Sequence, residues 1–206
     1  MGASPLESSQ EPGTEPWRFV RVGLLFYGAM AAVAVLWREG AYRESIWWAP
    51  GALPAGQPPT VSGLVSALAS GLAVGGLVVA VSWWLTRTTQ WGRALSDALA
   101  EQIGSLRLPD AILLATASGF AEELFFRGAL QPRVGLVGAS LLFGALHFVP
   151  RRELLPWTAF TVGMGFVLGA LFEQTGTLLA PIAAHTLINA VNLPLLARRA
   201  RTAAGE

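Results

Sequence analysis

The chain alternates between long apolar runs and short polar connections. Six runs are candidates for helices: residues 19–37, 61–85, 111–131, 134–150, 154–173 and 177–197. A helix needs about 20 mostly apolar residues to cross the hydrocarbon core of a bilayer. The second run has no charged residue over its 25 residues. The pattern therefore predicts an all-α, polytopic membrane helix bundle with about six transmembrane helices.

The segments around these runs divide the chain into four parts. Residues 1–16, rich in Ser, Pro, Gly and Glu, predict a disordered N-terminal tail. Residues 17–89 are predicted to form two transmembrane helices joined by an outer loop. Residues 90–197 are predicted to form a membrane core, and residues 198–206 form a basic C-terminal tail. Within 91–106, apolar residues recur every three or four positions, which predicts an amphipathic helix on the cytoplasmic surface.

Two of the runs contain pairs of glycines spaced four residues apart. Gly71 and Gly75 lie in the second run, and Gly165 and Gly169 lie in the fifth. Small residues at this spacing let the backbones of neighbouring membrane helices approach closely. The pairs therefore predict close helix packing and carry no chemistry of their own.

Tryptophan and arginine indicate how the bundle lies in the membrane. The eight tryptophans fall at or near the ends of apolar runs, as residues of the interfacial aromatic belt do. Six spans would place both termini and the connections 86–110 and 151–153 on the same side of the membrane. Ten of the 14 arginines would lie on that side, and three would lie on the opposite side. The positive-inside rule then predicts cytoplasmic termini. We expect a multi-pass protein of a bacterial plasma (inner) membrane.

Composition excludes several kinds of chemistry. Hydrophobic residues make up 53% of the chain and charged residues 13%, against about 25% charged in a typical soluble domain. The absence of cysteine rules out disulfides, thiolate nucleophiles and thiolate metal sites. All basic residues are arginine, so Schiff-base and Ser-Lys catalysis are excluded as well. A net charge of +1 without a basic, aromatic-rich patch predicts no nucleic-acid partner.

Charged residues interrupt the third run in the stretch GFAEELFFRGAL. An ionisable residue deep in a span costs about 2.5–3.5 kcal/mol on insertion scales and usually faces the bundle interior. Glu123 and Arg127 are four residues apart, so they share a helix face and can form an ion pair that supports the bundle. Glu122 lies about 100° around the helix from Glu123. The ion pair therefore leaves Glu122 unexplained.

The two histidines of the chain also fall inside apolar runs. Phe143 precedes His147 by four residues, so its ring can stack on the imidazole and limit its orientation. Asn189 follows His185 by four residues and shares its helix face. Together with Glu122, these residues predict one polar site built from three helices.

Several functions are compatible with such a site. A carboxylate and an imidazole that face one water can act as general base and general acid, and a second imidazole with a carboxamide can stabilise an oxyanion. This combination suits peptide hydrolysis. Glu122, His147 and His185 could alternatively ligate zinc with an open position. A non-enzymatic transporter could use the same charges as an ion pathway, and a binding or immunity protein could retain them without turnover.

Three short motifs resemble those of one family. EELFFRG resembles the EExxxR motif of the CPBP family, which comprises CAAX proteases and bacteriocin-processing enzymes and is also called ABI. FGALH resembles the FxxxH motif of this family, and HTLIN resembles its HxxxN motif. The three motifs occur in the family's order, each on its own predicted span. The resemblance covers about residues 90–195 and marks this part as a CPBP-like catalytic core.

The resemblance implies a role for each matching residue. Glu122 would activate a water together with His147, and His185 with Asn189 would form the oxyanion hole. Glu123 and Arg127 would support the site. The implied function is intramembrane hydrolysis of a membrane-associated protein or peptide within the lipid bilayer, by a glutamate mechanism without a metal, and zinc remains the alternative.

The predicted helix bounds place these residues at different depths. Counting 1.5 Å per residue from Asp110 puts Glu122 about 18 Å from the cytoplasmic edge, and His147, four residues before Arg151, about 6 Å from it. The two side chains must meet for the implied mechanism. We therefore expect tilted or staggered helices, or a fourth span that differs from 134–150.

Overall fold

A computed structural model of the chain describes residues 15–52 and 59–205. The helices are α1 Glu15–Val35, α2 Val61–Thr88, α3 Gln90–Ile103, α4 Leu108–Glu123, α5 Gln131–Leu146, α6 Leu155–Thr175 and α7 Leu179–Ala204. The π-helical segments Leu36–Ala41 and Leu124–Leu130 continue α1 and α4, and a 3₁₀ turn, Arg152–Leu154, precedes α6. The described residues contain no β-strand, and the all-α membrane bundle is confirmed. The predicted tail 1–16 lies outside the described residues, except that α1 begins at Glu15.

Five helical runs are long and apolar enough to cross a membrane in the described part of the chain. They are Trp17–Ala41, Val61–Thr88, Leu108–Leu146, Arg152–Thr175 and Leu179–Ala204. Four of them match predicted runs. The third is 39 residues long and covers both predicted runs 111–131 and 134–150.

This third run reverses its direction at Gly135. The residue has φ 74° and ψ 171°, a conformation that glycine adopts without steric cost. Glu122 and His147 are 25 positions apart, and a straight helix would hold them about 37 Å from each other. Their side chains instead approach to 3.7 Å. The chain therefore folds back at Gly135, and the two predicted runs are separate passes through the bundle.

The predicted bounds of the fourth run, 134–150, were wrong at both ends. The continuous helix starts after Gly135 and ends at Leu146, with His147 as its C-cap. Pro150 disfavours helical backbone at the residue before it, and prolines commonly follow a helix end within a few residues. His147 therefore lies at the depth of Glu122, which removes the mismatch that the predicted bounds created.

Both glycine pairs lie where helices pack closely, as predicted. A Cβ on Gly71 would collide with the backbone of Ala180, and one on Gly75 would lie 2.9 Å from the carbonyl oxygen of Ala184. The matching order of these contacts shows that α2 and α7 run parallel. In the same way, Gly165 packs on the backbone of Ser140, where α6 runs antiparallel to α5.

The beginnings of α1 and α4 and the end of α7 meet at one end of the bundle. One buried cluster joins them: Val20, Leu106, Ala111, Leu114 and Ala197. The two ends of the described chain therefore share one side, as six spans predict. We refer to this side as the termini end.

The outer faces of α1 and α2 are apolar. Large exposed side chains cover them, among them Val22, Leu25, Phe26, Val61, Val65 and Leu77. A bundle in water would bury such residues, whereas lipid tails accept them. In contrast, several of the buried polar side chains lie on α4 or the segment that continues it, namely Ser118, Glu122, Glu123 and Arg127.

Candidate active site

Two imidazoles converge on the carboxylate of Glu122. Glu122 is buried near the C-terminus of α4. Its Oε2 atom lies 3.7 Å from Nε2 of His147 and 3.9 Å from Nε2 of His185. These separations exceed a direct hydrogen bond, and Oε2 has no hydrogen-bond partner among the described residues. The side chains of Glu122, His147 and His185 therefore come together as predicted. Oε2 of Glu122, between the two imidazoles, is an acceptor without a hydrogen bond from the described part of the chain.

The orientation of His147 is set by Phe143. The Nδ1 atom of His147 lies 2.8 Å from the carbonyl oxygen of Phe143, one helical turn earlier. The ring centroids of the two side chains are 4.5 Å apart, so Phe143 limits the imidazole as predicted. When Nδ1 carries the proton and donates to the carbonyl, Nε2 presents its lone pair toward Glu122.

Glu123 joins an arginine and a histidine within the interior. Its Oε1 atom accepts a hydrogen bond from Nη1 of Arg127 at 2.8 Å and lies 2.7 Å from Nδ1 of His185. Arg127 also donates to the carbonyl oxygen of Gly165 on α6 at 3.2 Å. The predicted ion pair is present, and its carboxylate additionally orients His185, which the sequence did not reveal.

This contact limits what His185 can do. With its Nδ1 proton directed at Glu123, a neutral His185 presents a lone pair at Nε2. Donation from Nε2 to an oxyanion requires the doubly protonated ring. The Glu123 carboxylate is placed to pair with that form.

Asn189 lies one helical turn after His185 and contacts a serine on α4. Its side-chain nitrogen donates to Oγ of Ser118 at 3.0 Å, and Ser118 donates to the carbonyl oxygen of Ala115 at 3.2 Å. A carboxamide nitrogen has two protons. Asn189 therefore keeps one donor for another partner.

Phe143 also forms an apolar wall beside the charged groups. Its ring lies 4.6 Å from the guanidinium carbon of Arg127 and 4.9 Å from the ring of Phe126. The His185 ring meets Phe143 edge-on at 6.0 Å. The wall strengthens the electrostatic interactions beside it because it keeps water away.

Two further residues lie close to the site. Ser118 lies four residues before Glu122, so its place on the same helix face could have been found from the sequence. Tyr27 on α1 packs beside α4, against the buried cluster that contains Leu114. No sequence signal marks Tyr27, because its position depends on how α1 packs on α4.

The same atoms form the donor set of the alternative zinc site. Metal-binding histidines usually donate their second ring proton to a carbonyl or carboxylate, as His147 and His185 do here. The unpartnered Oε2 of Glu122 would complete the set. In their present arrangement, no three His, Cys, Asp or Glu side chains of the described residues are placed to hold a metal ion. The donor types thus suit zinc, although ligation would require the side chains to move.

Comparisons with known proteins agree with the sequence motifs. Residues 104–191 match the family model described as Rce1-like, type II CAAX prenyl endopeptidase. Over 86 residues the chain is 45% identical to YpbD, an uncharacterized protein of Bacillus subtilis (strain 168). These aligned residues make up 41% of this chain and 44% of YpbD. The chain thus matches less than half the length of this relative. No solved structure matches the chain.

The residues singled out from the sequence lie in one cluster inside the matched region: Glu122, Glu123, Arg127, Phe143, His147, His185 and Asn189. Helices α4, α5 and α7 contribute to this cluster, and α6 supports it through Gly165. The motifs EELFFRG, FGALH and HTLIN all fall inside residues 104–191. Through these residues, the region 104–191 resembles the CAAX-protease family.

Proposed function

We propose that the protein is an intramembrane endopeptidase that hydrolyses a peptide bond of a membrane-associated precursor or of a C-terminal sorting or anchor segment. The observation that carries the proposal is the convergence of two imidazoles on the unpartnered Oε2 of Glu122. A buried carboxylate oxygen without a hydrogen bond is costly to the fold, and ionisable groups inside a membrane bundle usually serve a function. We infer that the function of the Glu122 carboxylate is to activate a water held between it and the imidazoles of His147 and His185.

In the proposed reaction, Glu122 and His147 share the work of proton transfer. Glu122 takes a proton from a water held between the two side chains, and the hydroxide attacks the carbonyl carbon of the scissile bond. Collapse of the tetrahedral intermediate breaks the C–N bond, and the proton passes to the leaving amine. The products are a carboxylic acid and an amine, and water is the only co-substrate.

The oxyanion of the intermediate would be stabilised by Asn189 and His185. Asn189 has one amide proton free of Ser118, and His185 donates from Nε2 when it is doubly protonated. Preorganised donors of this kind typically contribute about 10²–10³-fold each. The ion pair of Glu123 with Arg127 holds His185 in place for this role.

Access to the site is provided on the side of His147. Its side chain is 26% exposed, whereas those of Glu122 and His185 are 9% and 8% exposed. A membrane-associated peptide could therefore reach the water from this side. We place the protein in a plasma membrane with cytoplasmic termini, following the arginine distribution.

The proposed reaction needs no metal. If zinc were bound, Glu122, His147 and His185 would hold it, and it would supply Lewis-acid activation. Purified protein should contain far less than one zinc per chain and should keep its activity in a chelator. One zinc per chain that is lost in the Glu122→Gln variant would assign the three side chains to metal ligation instead.

The experiment that tests the function compares membrane and secreted proteomes of cells that carry either the native protein or the Glu122→Gln variant. Glu101→Gln is the matched control, because Glu101 is an exposed glutamate on α3. We expect one class of uncleaved precursor to accumulate only with Glu122→Gln. Identical proteomes for native protein and Glu122→Gln, at equal protein levels, would refute the protease and favour a binding protein.

A further inference from the structure

An open pocket lies at the termini end, where the last turns of α2 and α7 meet α3. Its volume is about 620 Å³, within the range of about 300–1,000 Å³ that is usual for small-molecule sites. Arg198, in its wall, follows His185 by 13 residues and so lies about 20 Å from it along α7. The residues that line this basic pocket all fall outside the matched region 104–191: Arg87, Asp97, Leu195, Arg198, Arg199, Thr202 and Ala203.

The charges of the basic pocket are not balanced within it. Arg199 forms an ion pair with Asp97 on α3, which neutralises both side chains. Arg87 and Arg198 are exposed, and neither forms an ion pair with a residue in the described part of the chain. Three arginines and one aspartate therefore leave the pocket with two positive charges.

The stability of the helices explains only one of these two unpaired cations. Arg87 lies in the last turn of α2, where a cation interacts favourably with the free carbonyl groups. Arg198 lies more than one turn before the end of α7 at Ala204, beyond the reach of that effect. Two unpaired cations around one pocket repel each other, and an anion bound between them removes the repulsion. The pocket is therefore suited to an anionic ligand.

Tryptophans place the basic pocket at the level of the lipid headgroups. Trp83 and Trp84 near the end of α2 and Trp91 at the start of α3 are about half exposed, and tryptophan collects at the membrane–water interface. The guanidinium carbon of Arg87 lies 4.4 Å from the ring centre of Trp83, so the ring orients this cation. Leu195, which is also half exposed, adds an apolar edge against which an acyl chain can pack.

We propose that the basic pocket binds the phosphate group of an anionic phospholipid, with Arg87 and Arg198 as its ligands. Guanidinium groups match the oxygens of a phosphate in both geometry and charge. The two excess positive charges favour a lipid with a net negative charge, such as phosphatidylglycerol, over zwitterionic phosphatidylcholine. The bound lipid joins the end of α2 to α7, the helix that carries His185 and Asn189. This inference does not depend on the proposed hydrolytic function.

The first test compares ligands on the purified full-length protein in a neutral detergent. Melting temperature is measured with phosphatidylglycerol, phosphatidylcholine or inorganic phosphate, because a ligand of the folded state raises it. We expect phosphatidylglycerol to raise it by about 3–6 °C at ten times its Kd, and the other two to have much smaller effects. Equal shifts with the two lipids would show that the pocket does not select an anionic lipid. A shift with inorganic phosphate as large as that with phosphatidylglycerol would assign the pocket to free phosphate. Either result would overturn the inference.

The second test removes the two unpaired cations. The double variant Arg87→Gln, Arg198→Gln should bind phosphatidylglycerol about 30-fold more weakly, the effect of two basic residues beside an anionic lipid. The matched control Arg107→Gln, Arg152→Gln removes the same charge from exposed arginines outside the pocket. It should keep the native affinity, because salt screens distant exposed charges.

Without added lipid, both double variants should melt close to the native protein, since exposed charges contribute little to stability. Equal weakening of lipid binding in the two double variants would reduce the effect to general attraction by a basic surface. Unchanged binding in the pocket variant would show that Arg87 and Arg198 are not the ligands. Either outcome would contradict the proposal, and if a variant does not accumulate, the comparison of ligands on the native protein still decides.

Discussion

Two of the clusters in which arginine pairs with glutamate differ sharply in their surroundings. In the interior, Arg127 pairs with Glu123, and both side chains are fully buried. After α1, Glu44 pairs with Arg38 and Arg133, each at 2.7 Å. The Glu44 side chain is 44% exposed, although that of Arg38 is buried. The chemistry of the two pairs is the same, but the cost of breaking them differs.

The comparison shows what burial adds to an ion pair. The interior carboxylate accepts from Arg127 and orients His185, and Arg127 in turn binds the backbone of α6. Each charge there depends on the others, because water cannot replace a lost partner. Glu44 joins Arg38 to Arg133 at the start of α5, and because Glu44 and Arg133 are partly exposed, water can replace their contact. The interior pair is therefore a support for the site, and the loop pair is a local contact.

The largest effect is expected for Arg127→Ala. The substitution leaves Glu123 buried without its cation and removes the bond to Gly165, and breaking a buried pair in this way costs about 3–5 kcal/mol. Accumulation in the membrane, melting temperature in detergent and cleavage should all fall together. A variant that accumulates and melts as the native protein does would show that the interior pair has no structural role.

A smaller and more selective effect is expected for Glu123→Gln. The amide keeps the volume and one acceptor for Arg127, so accumulation and melting temperature should fall less than in Arg127→Ala, although Arg127 loses its anion. His185 loses the negative charge that supports its doubly protonated form, and cleavage should fall by about 10- to 100-fold. The measurement is kcat of the purified variant beside its melting temperature. Native kcat would show that His185 does not depend on Glu123.

The smallest effect is expected for Arg133→Ala in the loop cluster. Exposed ion pairs contribute about 0–1 kcal/mol, and Arg38 remains to pair with Glu44. Melting temperature and cleavage should stay close to native values. A loss as large as that of Arg127→Ala would erase the distinction between the two clusters.

Much of the site could be predicted because its signals are local. The spacing of Glu123 and Arg127 fixes their pairing on one helix, and the rarity of polar residues in apolar runs singles out Glu122, His147 and His185. The spacing of His185 and Asn189 gives their shared face. Most helix bounds follow from the apolar runs for the same reason.

The features that could not be predicted depend on distant parts of the chain. Gly135 is one of 23 glycines, and nothing near it marks the point of reversal. The contact of Glu123 with His185 joins residues 62 positions apart, and the position of Tyr27 depends on the packing of α1 on α4. Such contacts are set by how whole helix faces fit together, which a local pattern does not encode.

The central claim is that Glu122 and His147 act as a unit on one water, and a double-variant comparison tests it most directly. Purified Glu122→Gln, His147→Ala and the double variant would be assayed on the precursor that accumulates in cells. Each single substitution should lower kcat/KM by about 10²–10⁴-fold, and the double variant should be no slower than the slower single one, because residues acting as a unit are not additive. Losses that multiply in the double variant, or near-native cleavage by Glu122→Gln, would contradict the account.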